Sequence, residues 1–409
     1  MKIWMRYLLG TAVGIAIGVL LPLAGGDSVA ILQGLSSLVV RLGRLFLFPL
    51  VFFAAIVAMD ELREDRRVLR TLGTTAVITV VAVLFAVILG SVAILVLQPA
   101  RIPPMVQESR AMAAPRLLPQ LLETVPGNLF RVFVAGDNAL FMILLVGMMV
   151  GLTLRFDREI TSPVSLVADS ANRILYRLNA WVVEGIGFLL AVPAATVVVR
   201  TRSIEDLALF GQFLLVVASA ALFIGVVVYP LVLFLLDRER SEPLSWLHRM
   251  TPAGVSAVVT GDVFLSLATA LRMNKENLGI PRRIGGSMTP LVAIFGRAGT
   301  AMVSVASFLL VIRSYTALEI GFGDVLSLMV SGVAYSVLLG RHPAGAVMLL
   351  MSYLAVRYGR GMEESYLILL PVMAVLERIG AWLDVMTVGF ASQLVSRRGR
   401  FARAVDRTV

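Results

Sequence analysis

The sequence predicts an all-α polytopic membrane protein, and two observations carry the prediction. Of the 409 residues, 58% are hydrophobic and only 15% are charged, whereas a soluble globular chain carries about 25% charged residues. The stretches 71–100 and 207–236 contain no charged residue, although a spanning helix needs only about 20 apolar residues. The alternating segments of about 10 residues that are typical of a transmembrane β-barrel are absent from the sequence.

The charge and the cysteine count narrow the class further. The formal net charge is +10 and the chain has no cysteine, so disulfides and thiolate metal sites are excluded. In a soluble protein this charge would suggest nucleic acid, but in a membrane protein it indicates basic residues gathered on one side. We therefore expect contact with membrane lipid and none with nucleic acid. We interpret the N-terminal segment 1–26 as an uncleaved first helix rather than a signal peptide.

The apolar runs predict eight spanning helices and an orientation. The predicted spans are about 7–25, 30–60, 71–99, 127–155, 170–199, 207–236, 284–313 and 362–396. The connections 60–70, 154–159, 237–249 and 274–284 and the C-terminal tail are rich in arginine, and they fall on the side of Lys2 and Arg6. Basic connections lie in the cytoplasm. We expect an inner-membrane (plasma membrane) protein with both termini cytoplasmic.

Two further apolar segments are broken in the middle. Thr251–Leu271 is interrupted at Gly261-Asp262, and Val325–Val356 is interrupted at 340–343, the sequence Gly-Arg-His-Pro. We expect each arm to be too short to cross about 30 Å of hydrocarbon. We predict two re-entrant hairpins whose tips are buried in protein or line a watery cavity. A hairpin from the inside and then one from the outside, each before a full helix, make an inverted repeat, which is typical of a transport site.

Several segments resemble one known family. The stretches "FPLVFFAAIVAM" (48–59), "VPGNLF" (125–130), "NALFMILLVGMMVG" (138–151), "ENLGIPRRI" (276–284), "TPLVAIFGRAGTAM" (289–302) and "AVLERIGAWLDV" (374–385) are similar, in order, to segments of the dicarboxylate/amino acid:cation symporters, the glutamate transporter relatives. The resemblance implies the glutamate-transporter-like elevator fold in a homotrimer. It also implies a symporter for a small anionic amino acid or dicarboxylate, with no cofactor beyond a coupling proton or sodium ion.

The same resemblance implies a division into two domains. Helices one and two (1–70) and helices four and five (126–200) would form the static scaffold. Helix three (71–100) and the segment 206–400, which holds helix six, the first hairpin, helix seven, the second hairpin and helix eight, would form the moving transport domain.

The sequence departs from the family inside the site. In helix seven the family has Asn-Met-Asp-Gly-Thr, and this chain has Gly296-Arg297-Ala298-Gly299-Thr300, so an alanine replaces the cation-binding aspartate. The first hairpin tip is Gly261-Asp262-Val263, where the family is rich in serine. Two carboxylates of the family's sodium cage are lost, because Ala298 replaces one cation-binding aspartate and Val388 stands at the second. These changes argue against the usual sodium coupling.

The eighth helix carries the remaining departures. Glu377 stands where the family's aspartate holds the substrate amino group, Gly380 stands at its substrate-binding arginine, and Asp384 at its asparagine. Glu377 and Asp384 are two helical turns apart and share a face, while Arg378 is rotated by about 100°. A charge inside the bilayer is expected to face the protein and pair, so Arg297 is the natural partner. Arg297 would contact an anionic substrate or act as a built-in cation.

These interpretations give the predicted site, with open alternatives. We predict substrate contacts from Arg297, Thr300, Glu377, Asp384, Asp262 and Arg341, and coupling-ion contacts from Gly296, Asp384 and His342. Glu377, Arg297 and Asp384 could instead form a structural ion network, Asp262 could simply cap a helix, and His342 could be a solvent-exposed loop residue rather than a titrating group. We expect Gly299-Thr300 to mark an unwound part of helix seven, or else to be a helix-packing site.

Two other functional classes compete with transport by a carrier. An uncoupled anion channel or a transport-inactive sensor of the same fold would suit the altered cation site. An enzyme is not expected, because the chain has two histidines and no cysteine. The "GFGD" stretch (321–324) superficially matches the aspartate motif of intramembrane aspartyl proteases, but it puts Asp324 at the edge of an apolar run rather than inside one.

Overall fold

A computed structural model describes residues 1–21, 26–103, 128, 132–133, 140–204, 207–236, 243–316 and 320–399, and within them the chain is helical with no strand. The α-helices are α1 (Ile3–Leu20), α2 (Gly26–Arg44), α3 (Leu47–Glu64), α4 (Val68–Leu97), α5 (Leu140–Thr153), α6 (Arg158–Leu189), α7 (Ala191–Arg202), α8 (Leu207–Leu222), α9 (Tyr229–Leu236), α10 (Pro243–Thr260), α11 (Val263–Glu276), α12 (Arg282–Gly285), α13 (Met288–Phe295), α14 (Ala298–Tyr315), α15 (Phe322–Ser336), α16 (Ala346–Tyr358) and α17 (Met373–Arg398). A π-helix (Phe223–Val228) joins α8 to α9, and 3₁₀ segments at Val337–Arg341 and Ser365–Val372 follow α15 and precede α17.

The described residues contain seven helices that are long and apolar enough to cross a membrane, or eight if a bent pair counts as one span. The bent pair is α6 and α7, which meet at 41°, just before Pro193, whose ring crowds the preceding turn. The all-helical membrane class is therefore confirmed, while the predicted count of eight spans stays a prediction. Of the motif 125–130 the structure describes residue 128 alone, and of the predicted span 127–155 the residues 127, 129–131 and 134–139 lie outside the described residues.

Both predicted helix breaks are present. α10 ends at Thr260 and α11 begins at Val263, with Gly261 at φ +67°, a left-handed conformation that glycine adopts without strain. The second break separates the 3₁₀ turn that ends at Arg341 from α16. The first arm of that segment, Phe322–Arg341, is 20 residues long and apolar enough to span, so the expectation that every arm is too short is wrong. Re-entry from opposite sides stays a prediction.

The two breaks meet in the fold. The backbone N–H of Val263 donates to the carbonyl of Pro343 at 3.0 Å. A buried backbone group needs a hydrogen-bond partner. Here the first break supplies the donor and the second break supplies the acceptor. This contact places both interruptions at one point, as the inverted-repeat interpretation requires.

The core lies along the span Arg282–Tyr315. Its most apolar window is 94% buried, against 28% for α1, so α14 sits at the centre and α1 presents most of its surface to the surroundings. α14 and α17 approach closely at Gly299, where an added Cβ would lie 2.1 Å from the carbonyl oxygen of Gly380. Only glycine permits this separation, and it brings the start of α14 within reach of side chains on α17.

A polar cluster fastens α11 to α6. Arg272 donates to the carbonyl of Ala180 at 2.6 Å and to Glu184 at 2.8 Å, and the Asn179 amide donates to the carbonyl of Ala268 at 3.1 Å. These bonds cross from a predicted scaffold helix to a predicted transport-domain helix. The division into two domains itself stays a prediction.

Candidate functional site

The seventh span is interrupted at Gly296 and Arg297. Neither residue is helical, with φ/ψ of −88°/47° and −76°/53°, and α14 begins at Ala298. The expectation that Gly299 and Thr300 are unwound is therefore wrong, because both lie in the first turn of α14. The interruption falls earlier in the chain because a carboxylate from α17 binds the free N–H groups of that first turn.

Asp384 supplies this carboxylate. One oxygen accepts from the backbone N–H groups of Gly299 at 2.7 Å and Thr300 at 3.0 Å, and the other accepts from the Thr300 hydroxyl at 2.6 Å. The residue is 1% exposed. A helix N-terminus with two N–H donors and a hydroxyl is a favourable anion site, and Asp384 fills it from within the protein.

Arg297 lies beside Asp384 and is also 1% exposed. Its Nη1 is 3.4 Å from Asp384 Oδ2. Its Nη2 donates to the carbonyl of His342 and faces the carbonyl of Leu339 at 3.5 Å. The predicted pairing of Arg297 with Asp384 is therefore present. The guanidinium also holds the tip of the second broken segment through backbone oxygens.

Glu377 does not join this pair. Its Oε1 accepts from the backbone N–H of Met348 at 3.0 Å, in the first turn of α16, and the side chain is half-buried. In the alternative network of Glu377, Arg297 and Asp384, Glu377 therefore has no direct contact with the pair, and the network of all three residues stays a prediction. The two residues are seven positions apart, so their backbones are separated by about 10 Å along the helix axis. The free N–H groups of α16 offer Glu377 a nearer partner.

The first break holds Asp262, which is 2% exposed. Its carboxylate accepts from the N–H of Leu265 at 2.7 Å as the N-cap of α11. It also forms an ion pair with Arg44 of α2, whose Nε donates at 3.0 Å. The geometry matches the capping alternative. A substrate contact by Asp262 would require one of these protein partners to leave.

The remaining predicted residues lie around the pair. Gly296 directly precedes Arg297 in the chain. Thr300 follows it by three positions and contacts Asp384. His342 and Arg341 are half-buried at the tip of the second broken segment, where His342 contributes its carbonyl to Arg297. The roles of these residues in binding substrate or a coupling ion stay predictions.

Asp262 can be tested for its two contacts separately. We expect Asp262→Asn to keep the cap, because an amide oxygen still accepts from Leu265, and to lose the ion pair with Arg44. Asp262→Ala should lose both contacts and unfold at a lower temperature than Asp262→Asn. Loss of the cap alone should lower the free energy of unfolding by about 1 kcal/mol. Thermal unfolding of the two purified variants checks this order. Equal stability of the two variants would show that the cap contributes nothing.

Sequence reasoning missed four partners in this region. Arg44 lies inside a predicted span and was not singled out, although an intramembrane arginine signals a buried carboxylate elsewhere. The carbonyls of Leu339 and His342 and the N–H of Met348 are backbone groups, which carry no signal in the sequence. The break at 340–343 was the available clue to the carbonyls, since a helix end leaves such oxygens free.

Comparison with known proteins decides the family. The model of the sodium:dicarboxylate symporter family matches residues 3–398, nearly the whole chain. The chain belongs to this family. The resemblance read from the sequence is thus confirmed, and the protein is a multi-pass membrane transport protein rather than an enzyme.

Curated relatives of the symporter family are similar at low identity. The C4-dicarboxylate transport protein of Deinococcus radiodurans is 23% identical over 80% of this chain and 74% of its own length. The serine/threonine transporter SstT of Lacticaseibacillus paracasei is 24% identical over 75% of this chain and 71% of its own. Human excitatory amino acid transporter 1 is 24% identical over 56% of this chain, and the match spans only 41% of that protein.

Proposed function

We propose that the protein is a secondary active symporter for a small anionic amino acid or dicarboxylate, with a coupling ion other than sodium. Family membership and the dicarboxylate and amino acid transporters among its relatives support the transported class. The buried contact between Arg297 and Asp384 carries the proposal on coupling. The proposal includes an inner-membrane homotrimer with cytoplasmic termini and an elevator-like transport domain, which rest on the family resemblance.

Arg297 acts in this proposal as a built-in cation. Its guanidinium lies among one carboxylate and two backbone carbonyls, a set of oxygen ligands that would also suit a metal cation. The alternative role, direct contact with a substrate carboxylate, is less well supported, because the side chain is 1% exposed and its Nη1 and Nη2 atoms already face protein oxygens. A fixed charge at this place removes the need for a sodium ion.

Glu377 is the carboxylate that stays available. It is half-buried, and within the described parts of the chain it forms no ion pair closer than 4 Å, its partner being the Met348 N–H. A carboxylate in this position can take a substrate amino group or a proton. Coupling to protons is therefore the form of symport that the geometry supports best.

Uptake into proteoliposomes tests the proposal. The purified protein would be given labelled aspartate, glutamate, succinate or neutral amino acids under a sodium gradient, a proton gradient or neither, with protein-free liposomes as the control. We expect saturable uptake of an anionic substrate that the proton gradient drives and sodium does not. Uptake that depends steeply on sodium would contradict the built-in cation, because it requires a sodium site alongside Arg297.

A transport-inactive sensor is the second candidate, and one observation favours it. The charges of Arg297 and Asp384 neutralise each other within the protein, so the pair needs no external ion. Ligand-dependent thermal stabilisation without uptake would identify the sensor. Ionic current without saturable uptake would instead identify an uncoupled anion channel.

A further inference from the structure

A separate cavity lies away from the ion pair. It has a volume of about 480 Å³, within the range of ligand sites, and is lined by residues of α1, α7, α8, α10 and α17. Apart from Thr11, Thr201, Arg378 and the Trp382 indole, the described residues that line it have hydrocarbon side chains. An apolar cavity with few polar groups fits a ligand that is itself mostly hydrocarbon.

Arg378 is the charged group of this cavity, and no carboxylate pairs with it directly. In the parts of the chain that the structure describes, no carboxylate lies within ion-pair distance of Arg378 and its buried Nε has no hydrogen-bond partner. Nη1 donates to the Ala374 carbonyl of the same helix. The neighbouring Glu377 accepts from the Met348 N–H of α16 and forms no ion pair with Arg378 within 4 Å. An arginine within a spanning helix is costly without a counter-charge, so the cavity lacks an anion.

The other polar groups do not supply one. The hydroxyls of Thr11 and Thr201 donate to carbonyls of their own helices at 2.8 and 2.9 Å. Arg200 of α7 adds positive charge near Arg378, and Glu377 adds negative charge there. The cavity thus combines a hydrocarbon wall with a local excess of positive charge.

The rim of the cavity is open to the surroundings. Ile15, Leu222 and Val258 line it and are 46%, 51% and 45% exposed. In a membrane protein such side chains face the acyl chains of the bilayer. A ligand that is dissolved in the bilayer can therefore enter sideways.

We propose that this cavity binds a long-chain fatty acid anion, with the hydrocarbon tail between the helices and the carboxylate on Arg378. A guanidinium and a carboxylate form a strong charge-assisted pair. One charge and one cavity of this size fit a single chain better than a two-chained phospholipid. The bound chain would bridge predicted scaffold helices α1 and α7 to α17 and slow uptake, a consequence that rests on the proposed function, whereas binding does not.

Trp382 provides the readout, because it lines the cavity. A variant with Trp4, Trp181 and Trp246 replaced by phenylalanine leaves Trp382 as the one tryptophan, since the chain has four. In phosphatidylcholine nanodiscs, dibrominated stearate should quench its fluorescence with saturation. The methyl ester of the same acid, which has no charge, should bind about tenfold or more weakly. A variant that retains only Trp181, which is 60% exposed, reports general partition into the bilayer.

Two substitutions separate charge from volume. Arg378→Gln should weaken stearate binding about tenfold or more and remove the difference from the ester, while Arg378→Lys should keep that difference. Ala218→Phe, which fills the cavity but leaves the arginine, should abolish quenching by both ligands. Arg360→Gln, at an exposed ion pair elsewhere, should change nothing. Quenching that never saturates, that is equal for acid and ester, or that chloride reverses would overturn the proposal.

Discussion

Replacing Arg297 with methionine is expected to destabilise the protein by about 3–5 kcal/mol and to abolish uptake. The substitution leaves the Asp384 carboxylate buried without its counter-charge, and breaking a buried ion pair on one side has this magnitude. The carbonyls of Leu339 and His342 lose their donor as well. Thermal unfolding of the purified protein and proteoliposome uptake measure the two effects. The matched control is Arg360→Met, because that arginine pairs with Asp324 on the surface, and an exposed ion pair contributes little to stability.

The double variant Arg297→Met with Asp384→Leu separates charge from packing. When both members of a buried ion pair are replaced by apolar residues, the protein is often as stable as before. Here the double variant should recover part of the lost stability, although the N–H groups of Gly299 and Thr300 lose their acceptor. If the losses in the free energy of unfolding caused by Arg297→Met and Asp384→Leu simply add in the double variant, the two charges are not coupled.

The smaller substitution Arg297→Ala tests the built-in cation directly. It leaves a space next to the Asp384 carboxylate and two carbonyl oxygens, which are suitable ligands for a small cation. Sodium should then raise the unfolding temperature of Arg297→Ala and leave that of the unaltered protein unchanged, with choline as the control salt. A sodium effect of equal size on both proteins would contradict the idea that Arg297 occupies a cation position.

Replacing Gly299 with alanine is expected to destabilise the protein by about 3 kcal/mol and to remove uptake. The new Cβ would lie 2.1 Å from the carbonyl oxygen of Gly380 and 2.7 Å from the Cβ of Leu383, so α14 and α17 must separate. Overpacking of this kind costs about 1–3 kcal/mol, and backbone against backbone leaves little room to relax. The separation also lengthens the bonds from the start of α14 to Asp384. Thermal unfolding and uptake check the two effects.

Gly73→Ala is the matched control for this substitution. Gly73 lies in α4 with no heavy atom within 4 Å of an added Cβ, and alanine is a better helix former than glycine by about 1 kcal/mol. The control should therefore be neutral or stabilising. If Gly299→Ala behaves as Gly73→Ala does, the close approach of α14 and α17 is not a requirement of the fold.

The positions of the helix breaks could be predicted because local chemistry determines them. Gly261-Asp262 and the Gly-Arg-His-Pro sequence at 340–343 cannot continue an apolar helix, and both interrupt one in the structure. The pairing of Arg297 with Asp384 followed from the cost of a lone charge in a membrane. These features depend on few residues and on strong energies.

The contacts of Glu377 and the position of the unwound residues could not be predicted from the sequence. The carboxylate of Glu377 accepts from the backbone N–H of Met348. Every residue except proline carries such a group, so the sequence does not single out the partner. The unwound residues are Gly296 and Arg297 rather than Gly299 and Thr300 because Asp384 completes the first turn of α14. Such choices depend on how two distant helices pack, which no local pattern encodes.

The pairing of Arg297 with Asp384 also has an electrical consequence. Their opposite charges lie 3.4 Å apart, so together they carry no net charge. A membrane potential acts on net charge, at about 2.3 kcal/mol per elementary charge for every 100 mV. A site that collects a sodium ion from solution must move that charge through the field, whereas this pair can change position without electrical work. The membrane potential therefore does not favour either position of the unloaded site through the charges of these two residues.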